Sequence, residues 1–228
     1  MNRYSLIHTK LRREFVLLQG TGCRWRKCTF CDYHSDVSDK PYHINASVLE
    51  LVTGHYGVLD VINSGSAMEL DAHTLSHIQK MVKEKRIHTL WFEAHYMYRN
   101  RLKEFAAQFA PVQVKFRCGV ETFNPSLRSE WHKGIPNDVT PEDVSKYFQG
   151  ICLLVGVEGQ TSADIEADIN LALRYFEYFS VNVFCNNTTT VRKDTRLVEW
   201  FMKTQYPRLK DLPHVEVLVE NTDLGVGG

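Results

Sequence analysis

No apolar run in this chain approaches the roughly 20 residues needed to cross a bilayer. Net charge is missing as well. Lys and Arg together number 27 and so do Asp and Glu, so no global positive field is present to gather a polynucleotide. The one basic stripe, Lys80, Lys83, Lys85 and Arg86, reads as the solvated end of a helix. The first residues, MNRYSLIHTK, hold no apolar stretch of the secretory kind, which leads us to expect a cytoplasmic protein with reduced thiols. Internal repeats, low-complexity tracts and linkers are lacking too. A chain of 228 residues is long enough for one sizeable core, and residues 1–228 read as a single domain. These absences argue against membrane and nucleic-acid partners and for a small-molecule substrate. A protein partner stays open.

Cysteine is scarce, six in all, yet three crowd into the stretch GTGCRWRKCTFCDYH as Cys23, Cys28 and Cys31. Three thiols on one short loop can hold three corners of a cubane iron–sulfur cluster, where four would close it. One iron is then left open for another ligand. Phe15, Val16, Leu17 and Leu18 before the loop read as a buried first strand, Gly20 and Gly22 permit a tight exit, and Phe30 directly precedes the third cysteine. A competing reading adds His34 to the three cysteines as a Cys3His zinc site. Zinc knuckles of that kind stabilise small, core-poor modules, whereas this loop opens a chain able to build its own core. Cys118, Cys152 and Cys185 lie singly in strand-like runs and read as small core residues.

Beyond the loop the pattern alternates. Residues 58–62, 88–93, 112–120, 151–155, 181–185 and 215–219 are strand-like, and 112–120 alternates as a half-buried strand should. Helical patterns cover 71–84 with Asp71 as N-cap, 99–109, a short segment at Asn124-Pro125, 162–176 and 194–204. With the run at 15–18 this makes about seven strands separated by helices, hence βαβ units and a parallel sheet. In such folds chemistry gathers at the carboxyl ends of the strands. That rule picks Asn63, Ser64, Gly65 and Ser66, then Glu93, His95 and Tyr96, then Glu121, then Val155 and Gly156, and finally Asn186 with Asn187. Each could equally be a capped turn or a solvated loop end.

A strand, a three-cysteine loop with an aromatic inside its last C-x-x-C, and an α/β remainder together resemble the radical S-adenosylmethionine (SAM) superfamily. The usual spacing there is C-x3-C-x2-C; this chain has C-x4-C-x2-C, one residue longer. The resemblance spans nearly the whole chain and implies a partial (βα)6 TIM-like barrel. It also implies a 4Fe–4S cluster on Cys23, Cys28 and Cys31, SAM chelating the open iron, and a flavodoxin- or ferredoxin-type electron donor. Reductive cleavage of SAM would give a 5′-deoxyadenosyl radical that takes hydrogen from the substrate. Residues 63–66 resemble the segment that receives the methionine amino group, although its Gly-Gly-Glu is absent and Glu69 falls late. The stretch GVETFNPSLRSEWHKG resembles the segment whose strand-end polar residue, here Glu121, faces the SAM ribose. Val155 and Gly156 resemble the segment flanking adenine, and Phe30 and Tyr33 join the cofactor set from the loop. Glu93 and His95 are the candidate catalytic residues, and Glu93, His95, Tyr96, Asn186 and Asp223 the candidate substrate contacts.

The longer spacing, the minimal length and the segment ICLLVGVEGQT resemble the queuine lyase group. That implies cleavage of the C–N bond between a cyclopentenediol and 7-aminomethyl-7-deazaguanine, a step of queuosine salvage. A purine-like base would want a carboxylate, and Glu93, Glu121, Asp36 and Asp223 are available. A glycyl-radical-enzyme activating enzyme and a non-catalytic zinc protein are the alternatives. Without an added lid domain, a homodimer is expected to cover the site, with closure of residues 32–45 as the competing device. Alanine at Cys23, Cys28 or Cys31 should abolish iron incorporation. Alanine at Cys118, Cys152 or Cys185 should leave it intact, at a packing cost of about 1–2 kcal/mol or less. Iron analysis of anaerobically purified variants checks this, and equal losses in Cys118→Ala and Cys28→Ala would show the set misassigned. In His34→Ala, retained metal supports the open-iron reading and lost metal supports zinc.

Overall fold

The computed structural model describes residues 1–227; Gly228 and the side chain of His34, the fourth ligand of the zinc reading, lie outside the described residues. Eight strands follow the chain in the order β1 to β8. They are β1 Tyr4–Ile7, β2 Arg13–Leu18, β3 Val58–Asn63, β4 Thr89–Glu93, β5 Gln113–Glu121, β6 Gly150–Val155, β7 Tyr178–Val183 and β8 Val215–Leu218. The longer helices are α1 Tyr42–Glu50, α2 Ala72–Glu84, α6 Ser162–Tyr175 and α7 Thr195–Thr204. Shorter ones are α3 Leu102–Ala107, α4 Pro125–Glu130, α5 Pro141–Ser145 and α8 Tyr206–Leu209. The pairings β2–β3, β3–β4, β5–β6, β6–β7 and β7–β8 are parallel, and β1–β2 is antiparallel. Among the described residues no helix is long and apolar enough to cross a membrane. The chain forms two compact units, and the cysteine loop contributes its first limb to one and its second limb to the other.

The first unit comprises Met1–Arg26, Tyr33–Phe116 and the C-terminal segment from Asn221. Its core packs Phe92 against Phe105, Phe109 and Phe116, with ring centroids 5.2, 5.4 and 6.4 Å apart. Two buried carboxylates on neighbouring strands are fully engaged. Asp60 on β3 meets the Arg13 Nε of β2 at 2.9 Å. Glu14 accepts from the backbone N–H of Thr53, Gly54 and His55, which ties the segment after α1 to β2. The Tyr4 hydroxyl also donates to Glu14, and burial together with that carboxylate pushes its pKa up to about 12.

The second unit comprises Lys27–Asp32 and Arg117–Glu220. Its central strands are buried on both faces, as in a helix-covered parallel sheet: every residue of β6 and all but Asn182 of β7 are buried. The capping box on Thr140 starts α5 and that on Thr161 starts α6, each with its side-chain oxygen bonding the N3 amide.

Five sequence expectations need correction. The run at 15–18 is the second strand, because β1 precedes it, too short and too evenly half-buried to show a period. The last four residues of the segment 32–45, expected as a closing loop, are helical and begin α1; its N-cap, Pro41, makes no side-chain cap bond and gives no start signal. The segment 99–109 begins as a 3-10 turn, Tyr96–Arg101, before α3. The strand expected at 181–185 is β7 at Tyr178–Val183, so Cys185 and Asn186 lie beyond its end. The inner part of β5, Phe116 to Glu121, is also wholly buried rather than half-buried.

Asp168 on α6 is buried and accepts from the Phe123 N–H at 2.7 Å. Burial raises its pKa to about 6, against the hydrogen bonds from Thr122 and Phe123. A raised carboxyl binds its proton in the folded state before the unfolded state does, so stability should rise as pH falls from about 6 towards 4. The gain is at most roughly 3 kcal/mol. Asp168→Asn should flatten that part of the stability–pH profile, measured by urea unfolding between those limits.

Candidate functional site

In the first unit the site grows from the loop after β3. Asn63, the last residue of β3, turns its side-chain N–H to the Ser66 carbonyl at 3.3 Å, while its Oδ1 is buried with no hydrogen-bond partner among the described residues. Ser66 opens a 3-10 turn as half of a capping box whose other half is Glu69, and Ser66 N–H donates to Glu69 Oε2 at 2.7 Å. Glu69 reaches further. Its Oε1 accepts the backbone N–H of Arg24, next to Cys23, at 3.0 Å and the Tyr98 hydroxyl at 2.7 Å. Burial and the Glu69 carboxylate push the Tyr98 pKa up to about 12, so this hydroxyl keeps its proton and donates. Gly65 is needed here for space: a Cβ would collide with Glu69 Oε2 and come within 3.4 Å of the Cys23 Cα.

His95, just past β4, stacks on Trp25 of the cysteine loop at 5.5 Å and 18°. Its Nδ1 accepts the Met97 N–H at 3.1 Å, and its own N–H donates to Ser66 Oγ at 3.0 Å. Ser64 accepts the Gly20 N–H and donates to the Asp36 carbonyl, while the Asp36 carboxylate takes both Nη atoms of Arg3 and the Gln19 amide. Burial opposes ionisation of Asp36, but Arg3 and Gln19 win and hold it below the usual carboxylate range. Asp36 is therefore committed to the loop's exit rather than open to a base.

The second unit holds the C-x-x-C limb. Phe30 packs on the apolar cluster of Leu127, Trp131, Leu154, Val157 and Phe184, and meets the Trp131 ring edge-on at 5.8 Å. Thr29 N–H donates to the Trp131 carbonyl, and Asn187 Nδ2 donates to the Phe30 carbonyl at 2.7 Å. Asp32 accepts from both the N–H and the hydroxyl of Thr188. Glu121, at the end of β5 with φ 68°, forms a buried ion pair with Lys133 at 2.8 Å.

The candidates thus sort into groups. Residues 63–66 and His95 come together with Glu69, Trp25 and Tyr98 in the first unit; Phe30 and Glu121 gather with Lys133 in the second. Glu93 is the half-buried last residue of β4. Tyr96 is buried under the Arg99 guanidinium. Tyr33 is 63% exposed in a 3-10 turn, and Asp223 is exposed near the C-terminus. Val155 is core, and Gly156 with φ 81° gives clearance to Val198 of α7. Asn186 holds a turn by accepting the Lys193 N–H. Glu69, Trp25, Lys133 and Asn187's link to the loop were not singled out as site residues from sequence. Of these only Glu69 carried a signal, the S-x-x-E capping pattern.

Cys118 and Cys152 are buried, whereas Cys23, Cys28, Cys31 and Cys185 are partly exposed and none of the six is disulfide-bonded. Among the described residues no group of three or more His, Cys, Asp or Glu is arranged to hold a metal ion. The donor set on the loop, three accessible thiols and no disulfide, fits a thiophilic iron–sulfur group by its chemistry.

No protein-family model matches the chain, and neither does any curated protein sequence. Solved structures do. The queuine lyase from Clostridium spiroforme, bound to SAM and queuine, is 40% identical over 100% of both chains, with a TM-score of 0.95. SuiB from Streptococcus suis, bound to SAM, is 14% identical over 96% of this chain and 49% of that one, with a TM-score of 0.55, a likeness of fold alone. The fold class is therefore an α/β partial TIM-like barrel with a mostly parallel sheet. Glu69→Gln keeps the shape of the carboxylate but turns an acceptor into a donor. It should destabilise the protein by about 1–3 kcal/mol and speed hydrogen exchange at the Arg24 amide, while Tyr98→Phe should cost about 1 kcal/mol.

Proposed function

Because the chain belongs to the queuine lyase family of radical SAM enzymes, we propose that it cleaves the C–N bond of queuine and releases 7-aminomethyl-7-deazaguanine. The observation that carries this is likeness along the full length of both chains to a queuine lyase holding SAM and queuine. Cys23, Cys28 and Cys31 would hold a 4Fe–4S cluster. Bound there with SAM, such a cluster would supply a 5′-deoxyadenosyl radical able to take hydrogen from the substrate.

The chain's own residues do the positioning. Glu69 fixes the backbone next to Cys23, and the Trp25–His95 stack holds the side chain two residues on. Phe30 is seated in an apolar cluster, which keeps water from that side of the C-x-x-C limb. Asn63 Oδ1, buried and lacking a partner among the described residues, suits an ammonium donor of the SAM methionine part. Glu93 and His95, with Tyr96, Asn186 and Asp223, are the residues proposed to meet the deazaguanine. His95 accepts the Met97 N–H at Nδ1, which with the Trp25 stack fixes the plane of its ring. A flavodoxin- or ferredoxin-type donor, a cytoplasmic setting and a homodimer that shields the radical complete the reading.

Anaerobic protein with SAM, dithionite and queuine should yield 5′-deoxyadenosine together with 7-aminomethyl-7-deazaguanine by mass spectrometry. Formation of 5′-deoxyadenosine without release of the base would reject queuine as substrate. Light scattering on the same samples should give twice the chain mass.

A further inference from the structure

We propose that the buried Lys133–Glu121 ion pair sets the reduction potential of the group bound at Cys28, with the Lys133 ammonium favouring its reduced form. This rests on the reading that Cys28 is a cluster ligand.

The pair is an elaborate construction. Glu121 takes φ 68°, in the left-handed region, where the β5–β6 register shifts between Gly119 and Glu121. Such a conformation is unfavourable for a residue with a side chain, and it persists only where its surroundings impose it. Gly119 supplies the room: a Cβ there would lie 2.7 Å from Glu121 Oε1 and 3.2 Å from Lys133 Nζ. Lys133 is delivered by a second left-handed residue, His132 with φ 51°, and its N–H closes on the Arg128 carbonyl after α4. Two strained residues and a glycine vacancy thus serve one ion pair. A buried pair adds little to stability over an apolar replacement, so stability alone does not account for it.

Its surroundings point to the C-x-x-C limb. Lys133 Nζ lies 5.7 Å from the centre of the Phe30 ring, and the neighbouring Trp131 carbonyl holds the Thr29 N–H. The Lys133 side chain is buried, and its Nζ is held in place by the Glu121 carboxylate at 2.8 Å. Reduction by one electron adds one negative charge to the bound group, and a fixed cation among apolar rings stabilises that charge with little screening. Glu121 opposes it in part, so the two side chains should move the potential in opposite directions. Lys133 is a positioning charge, not a catalytic residue.

The test is an electron-paramagnetic-resonance redox titration of the anaerobically reconstituted full chain, without SAM, after iron has been measured. At the poise where half of the wild-type clusters are reduced, Lys133→Met should lower the reduced-to-oxidised ratio about tenfold, a shift of 59 mV for one electron. Glu121→Gln should raise the ratio, and Lys133→Arg should stay within about threefold of the wild type. A fully iron-loaded Lys133→Met with an unmoved ratio overturns the proposal. Should Lys133→Met fail to take up iron, Glu121→Gln decides, and an unchanged or lowered ratio there overturns it. Wild-type protein that takes up no iron would instead sink the cluster reading beneath it.

Discussion

A loop that presents three thiols cannot be held by a strand ladder, so its backbone must be fixed by side chains, and the Glu69 carboxylate is the main one in the first unit. Its two oxygens accept the Arg24 and Ser66 amides and the Tyr98 hydroxyl. One group therefore joins the residue after Cys23, the turn after β3 and the turn after β4. Remove it and three donors lose their acceptor together, a larger penalty than any single bond suggests. Gly65 follows from the same constraint, since the carboxylate occupies the space a side chain there would need. In the second unit the anchoring is divided: Asn187 holds the Phe30 carbonyl, Thr188 binds Asp32, and Trp131 takes the Thr29 amide.

The buried charges divide by what surrounds them. Arg13–Asp60 joins neighbouring strands and is wholly inaccessible. Replacing both partners by apolar residues of similar volume would be nearly neutral, whereas deleting one would cost about 3–5 kcal/mol. Such a pair fixes which side chains face each other across β2 and β3. Arg3–Asp36 works at the other end of the same strands, tying the segment before β1 to the exit of the cysteine loop. The antiparallel edge strand β1 therefore has a purpose beyond covering β2, because it positions the residue before it, Arg3, which holds that exit.

Much of this was legible in the sequence where a pattern has a period or a motif has a mechanism. The strands β3, β4, β6 and β8 fall within a residue or two of the apolar runs that announced them, and α2 and α7 start at their Asp caps. What escaped had no local signature. β1 is four half-buried residues, and α1 begins on a proline without a side-chain cap. The expected helix ended at Phe176 and the strand began at Val181, whereas Phe176 is already extended and β7 starts at Tyr178. The 40% identity to a known queuine lyase agrees with the group to which the cysteine spacing and the segment ICLLVGVEGQT pointed. Lys133 could not be read at all. Nothing in HKGIP distinguishes a buried lysine from a surface one until Glu121 is known to face it.

That pairing also explains why the end of β5 departs from ideal geometry while β6 beside it does not. A regular strand would alternate Val120 and Glu121 across the sheet and leave no route for the carboxylate to a lysine twelve residues on. The register shift at Gly119 and the left-handed turn at Glu121 redirect that side chain, at about 1–3 kcal/mol for the strained residue. The surrounding packing supplies more than that: Val120 and Phe116 are buried on the same strand, and Leu127 and Trp131 follow on the segment that returns Lys133. Strain of this kind is tolerated where the core over-determines the backbone, so the apolar cluster beneath Phe30 is what permits the charge beside it.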